Sequence, residues 1–128
     1  MITKETIESN TLPATVASLY DLSMLEEMED NDYLAEVLTI FLKETPGELK
    51  EMKEGLLAGN TTIICKKAHK LKGSAGIIQA EKLLGLLDEI EILAKKGVAN
   101  TILTTLINDA QRQYSSIEQA LEKHLKGL

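Results

Sequence analysis

Apolar residues recur at helical spacing along this chain from about residue 34 to its end, and strand-like alternation bounded by turn residues occurs nowhere. The sharpest case is Ile64, Ala68, Leu71, Ala75 and Ile78, at steps of 4, 3, 4 and 3, which mark one buried helical face. Aromatic residues are scarce (Tyr20, Tyr33, Phe41 and Tyr114), so the core must be built from aliphatic side chains, which suits helix-on-helix packing better than a sandwich or barrel. At 128 residues the chain is long enough for one core and too short for two.

Punctuation divides the pattern into helices. Residues 1–20 are Thr- and Ser-rich with weak periodicity and read as an arm or linker, although Val16 and Leu19 can pack on the body. Asp21 or Ser23 caps a short helix, with Glu26 completing a capping box on Ser23. Asp30 or Asn31 caps a long one with a core face of Leu34, Leu38, Phe41, Leu49, Met52 and Leu56, flanked by Tyr33 and Val37. Pro46 interrupts it, and Thr45 with Glu48 can form a fresh capping box. The segment is one kinked helix or two, and the nearly unbroken phase of the apolar face favours a kink. Gly59-Asn60 stops this helix and caps the next, over about residues 61–79. Glu81 opens a helix with buried Leu83, Leu87, Ile90 and Ala94 that ends at Lys95-Lys96-Gly97. Asn100 starts the last, whose inward face is Leu103, Leu106, Ile107, Ala110, Tyr114, Ile117 and Leu121. The expected fold is therefore all-α: an antiparallel up-down four-helix bundle over residues 21–128, with a short extra N-terminal helix.

One residue stands apart from this scheme. At roughly 100° per residue, His69 points about 140° away from the centre of the buried face of its helix. Lys66, Lys72, Gly73 and Gly76 fall on the same outer side. The two glycines each cost about 0.5–1 kcal/mol relative to alanine inside a helix, and they clear the surface beside the imidazole for the backbone of another protein. Between Glu54 and Glu81 there is no acidic residue, yet Lys66, Lys67, Lys70 and Lys72 lie there. An acidic chain of net charge −6 thus keeps one basic stretch around its outward histidine. Imidazole nitrogen is a good nucleophile toward phosphorus, and ammonium groups can offset the charge of a phosphoryl group placed on it. Lys72, one turn on, is best placed for this, followed by Lys66.

Other chemistries find little support. Net negative charge without stacking aromatics argues against nucleic-acid binding. No apolar run approaches the roughly 18 residues of a membrane span, and the start of the chain lacks a signal-peptide core. Cys65 has no partner for an internal disulfide, is expected to be half-buried, and fits a reducing cytoplasm. His69 and His124 lie too far apart in sequence, with too few acidic or thiol neighbours, to argue for a metal site. His124 reads as a helix-end cation or a partly buried flank residue. No nucleophile–base pair with useful spacing and no glycine-rich phosphate cradle is present, so the chain is not expected to phosphorylate itself from ATP.

Ala68-His69-x-Leu71-Lys72-Gly73-Ser74 closely resembles the motif of histidine-containing phosphotransfer (HPt) domains, and the resemblance runs from about Tyr20 to Leu125. It takes in Asp21-Leu22-Ser23-x-Leu25, Phe41-Leu42-x-x-Thr45-Pro46 and Leu57-Ala58-x-Asn60. It implies that His69, at Nε2, accepts a phosphoryl group from an aspartyl phosphate on one receiver domain and passes it to an aspartate on another. On this reading the chain is a phosphocarrier rather than an enzyme. It holds no cofactor; the receiver supplies Mg2+ and most catalytic groups. The expected partners are response-regulator receiver domains, including those of hybrid sensor histidine kinases, and the chain is expected to be a monomer. Lys72 and Lys66 assist electrostatically, while Gly73, Gly76, Lys70 and Ile77 form the receiver-docking surface, Ile77 being equally open to partial burial against the preceding helix. Many family members carry glycine where this chain has Gln79, and a polar residue where it has Ile77. Gln79 either lets the helix continue or alters how its end packs. The alternative function is a phosphorylation-independent helical adaptor that binds a receiver. A fragment of a larger sensor kinase is a remoter option.

Overall fold

The structure, a computed structural model, describes residues 19–98 and 101–128. A four-residue helix, α1 (Ser23–Glu26), precedes α2 (Asn31–Leu57), α3 (Thr61–Ile77), α4 (Glu81–Lys95) and α5 (Thr101–Lys126). Short connections force neighbours to run antiparallel. α2 packs on α3, α3 on α4, α4 on α5 and α5 back on α2, closing a four-helix ring, while α1 rests on α2. The described residues contain no strand.

The buried faces follow the sequence periodicity closely. Ile64, Ala68, Leu71, Ala75 and Ile78 are all buried, as are Leu83, Leu87, Ile90 and Ala94 of α4. On α5 the expected face is buried except Leu106, which is half-buried. On α2, Leu56 is half-buried and Tyr33 is exposed, so the core face is narrower at its two ends than the pattern suggests. Thr45, buried between Phe41 and Leu49, completes that face instead.

Pro46 lies inside a single helix, and the Thr45–Glu48 capping box does not form. Proline at this position has no N–H to offer the carbonyl four residues earlier, that of Leu42. The Tyr114 hydroxyl of α5 donates to that oxygen across a long 3.4 Å, and the Tyr114 ring packs tilted against Phe41 with centroids 5.7 Å apart. A neighbouring helix thus satisfies the acceptor that proline frees.

The caps are local and mostly as expected. Asp30 accepts from the Tyr33 N–H and Asn60 from the Ile63 N–H. The Ser23–Glu26 capping box is absent: Leu22 occupies the cap position, and the Asp21 carboxylate accepts from the Ser23 backbone and hydroxyl instead. The start of α5 at Asn100 and the arm over residues 1–18, with Val16, lie outside the described residues; Leu19 packs against the core.

Three helices close with the same paired hydrogen bonds, in which the second residue past the cap bonds back across six residues. Asn60 N–H donates to Gly55 O, Ala80 to Ala75 O, and Val98 to Leu93 O. The turn needs a residue at positive φ, supplied by Gly59 (68°), Gly97 (72°) and, ending α3, Gln79 (50°). α3 therefore stops at Ile77 rather than running on to Gln79, and the glutamine adopts the conformation that glycine takes at the other two ends.

Candidate functional site

His69 lies midway along α3, and its side chain is 77% exposed. Its Nδ1 is 3.0 Å from Oε2 of Glu91 on α4, a carboxylate whose side chain is only 8% exposed. The other oxygen, Oε1, accepts from Lys72 Nζ at 3.0 Å, and Lys72 also donates to Asp88 Oδ1 at 2.7 Å. Lys95 approaches Glu91 Oε2 at 3.8 Å. The Lys72 hydrogen bond holds the Glu91 carboxyl below the usual carboxylate range against the upward push of burial, and the His69 contact adds to the lowering. Hydrogen bonds donated to Asp88 and then to Glu91 raise the Lys72 ammonium above its ordinary value.

An ionised carboxylate only accepts, so Glu91 places the neutral imidazole proton on Nδ1 and leaves the Nε2 lone pair facing outward. The ring is oriented from behind and open in front. Neither Glu91 nor Asp88 is among the sequence-derived site residues. Glu91 does carry a signal: it lies four residues after Leu87 and three before Ala94, so a charged residue falls on the buried stripe of α4.

The sequence-derived residues divide into three groups. Lys72 reaches the histidine's carboxylate partner. Gly73 and Gly76 flank His69 on the open surface, where a Cβ at either position would meet nothing within 4 Å. Packing among the described residues therefore does not require glycine at either position. On the α2 side of α3, Ile40, Phe41, Glu44, Lys70, Ser74 and Ile77 line a groove. Ile77, 54% exposed, lines the edge of this groove together with Ile40 and Glu44 of α2 and is only partly covered there.

The basic stretch is less basic in three dimensions than in one. Lys70 donates to Glu48 at 2.9 Å, and Lys67 pairs with Glu48 at 3.0 Å and with Glu51 at 2.5 Å. With Lys72 on Asp88 and Glu91, three of the four lysines are neutralised by carboxylates from α2 and α4. Lys66 is exposed and makes no ion pair among the described residues. Cys65 is half-buried. His124 is 31% exposed, with Nε2 3.8 Å from Glu26, as expected of a flank residue at a helix end. Among the described residues no group of three or more His, Cys, Asp or Glu stands together as a candidate metal site, and no helix is long and apolar enough to cross a membrane.

A four-helix bundle presenting one outward histidine on a carboxylate support is the architecture of a phosphotransfer module. A family model for the Hpt domain matches residues 36–102, more than half of the sequence, and the chain belongs to that family. Hpt domains are phosphocarrier modules of two-component phosphorelays and work with receiver domains. The chain is similar to the sensor protein EvgS of Escherichia coli (strain K12), with 23% identity over 103 residues. That alignment takes in 79% of this chain and 9% of the sensor. The crystal structure of histidine-containing phosphotransfer protein B (HptB) from Pseudomonas aeruginosa PAO1 superposes with a TM-score of 0.80 at 22% identity, covering 86% of this chain and 96% of that one. The likeness to HptB establishes the fold.

Proposed function

We propose that His69 is the phosphoacceptor, taking a phosphoryl group at Nε2 from a receiver aspartyl phosphate and delivering it to the aspartate of a second receiver. Receivers of hybrid sensor histidine kinases suit the donor role. The observation that carries this reading is an imidazole held at Nδ1 by a buried carboxylate with its Nε2 side open to solvent.

In the forward step the Nε2 lone pair attacks phosphorus while the P–O bond to the receiver carboxylate breaks and its electron pair stays on that carboxylate. No proton needs to leave Nδ1. The ring becomes cationic, and Glu91, already ionised and in contact, offsets that charge where it develops. Lys72 contributes positive charge one turn away, and Lys66 contributes more weakly from its exposed position. Mg2+ and the remaining catalytic groups belong to the receiver; this chain brings no cofactor and no autokinase activity. Docking uses Gly73 and Gly76 for close approach, with Ile77 and Lys70 at the groove edge. Residues 21–128 constitute the module, monomeric and cytoplasmic, with 1–20 as its arm.

The test is phosphoryl transfer from a 32P-labelled receiver to the wild type and to His69→Gln. Label should appear on the wild type alone, and equal labelling of both would overturn the proposal. If His69→Gln kept both receiver binding and downstream output, the chain would be an adaptor.

A further inference from the structure

Asp88 contacts Lys72 and is itself 52% exposed, so the pair contributes little to holding the bundle together. Its placement matters for where the ammonium lies. Glu91 reaches His69 with Oε2 and Lys72 with Oε1, so the Lys72 ammonium sits behind the ring, on the Nδ1 side. A phosphoryl group would arrive at Nε2, in front. The ammonium has three protons, and two are engaged by Asp88 and Glu91. A phosphoryl dianion on His69 must therefore compete with two carboxylates for the same lysine. Glu91 also orients the ring, whereas Asp88 touches the site through Lys72 alone.

We infer that Asp88 is a positioning residue that retains Lys72 behind the imidazole, leaves phosphorylated His69 incompletely neutralised, and thereby keeps it a strong phosphoryl donor. The inference rests on the carrier reading above. In the step it governs, the Nε2–P bond breaks, its electron pair returns to nitrogen, and a P–O bond forms to the receiver carboxylate. No other reactant is needed. With Asp88 neutral, the Lys72 ammonium is free to turn toward the phosphoryl oxygens, and the balance between carrier and receiver moves toward the carrier.

The experiment follows the equilibrium distribution of 32P between this chain and a purified receiver domain loaded from labelled acetyl phosphate. Asp88→Asn should shift that distribution toward phosphohistidine by about two- to fivefold, the range an exposed charge pair can supply. Asp88→Glu should restore the wild-type distribution. In a Lys72→Ala background the Asp88→Asn shift should fall by at least half. A merely structural role would lower the thermal midpoint and slow both directions without moving the equilibrium. An unchanged distribution, a shift toward the receiver, or the full shift without Lys72 would each overturn the inference. Wild type that never takes label on His69 would remove the carrier reading, and this inference with it. Labelled wild type whose balance ignores Asp88→Asn removes this inference alone.

Discussion

The two histidines of this chain are the same side chain in two settings. His69 has a buried, ionised carboxylate at 3.0 Å from Nδ1 and an open face. His124 has a half-exposed glutamate at 3.8 Å from Nε2 and is itself mostly covered. Exposure and anchoring thus differ together: His69 alone of the two combines an open face with a fixed partner that leaves its other nitrogen free in a defined tautomer.

The comparison breaks most completely at the approach surface. Gly73→Leu adds a side chain where a Cβ meets nothing within 4 Å among the described residues, and leucine is the better helix former. The variant should fold at least as well as wild type yet lose receiver binding, read by calorimetric titration; normal binding would mean the bare flank of α3 has no role. A corresponding change near His124 should leave binding untouched.

Next in size is the support behind the ring. Glu91→Ala should slow transfer to His69 by about tenfold, as loss of an orienting partner does elsewhere, and 15N shifts of the ring should show the Nδ1–H tautomer no longer enforced. Glu91→Gln keeps an acceptor and sharpens the test, since it should hold the tautomer while losing the charge. The pH dependence has a defined sign. The folded-state pKa of Glu91 is lowered, so its contribution to stability is fully present above the ordinary carboxylate value of about 4.3 and is lost as pH falls through the lowered value. The urea midpoints of wild type and Glu91→Ala should converge in that acid range.

Smaller still, Lys72→Ala should slow transfer severalfold and leave the thermal midpoint nearly unchanged, because the partly exposed ion pair it removes contributes little to folding. Unaltered kinetics would make the lysine cluster a solvated face. The smallest effect concerns scaffolding alone: Gln79→Gly should stabilise by about 0.5–1 kcal/mol, since φ of 50° suits glycine better than any side chain, and should leave transfer rates alone.

The helices and their inner faces were legible in the sequence because the 3.6-residue period is a local property, and so was the outward aim of His69. What the sequence left dark is non-local. Glu91 and Asp88 meet His69 and Lys72 across 22 and 16 residues of chain, and the carboxylates that quench the basic stretch come from helices on either side. The absence of acidic residues between Glu54 and Glu81 said nothing about Glu48 or Glu91. One local feature misleads and one does not. The spacing carries the histidine helix to about residue 79, but the paired bonds from Gln79 to Gly76 and from Ala80 to Ala75 turn the chain there. The nearly unbroken apolar phase across Pro46 favours one kinked helix, and the segment is a single helix; the Tyr114 hydroxyl, 72 residues from Leu42, takes the carbonyl that the proline frees.

The Asp21 N–H donates to Ile78 O at 2.9 Å, which roots the leading segment at the end of the histidine helix. Nine residues of helix separate that root from His69, roughly 14 Å along the axis at 1.5 Å per residue. The fastening therefore pins the C-terminal end of α3, while the imidazole at the middle of that helix, 77% exposed, is left uncovered by it.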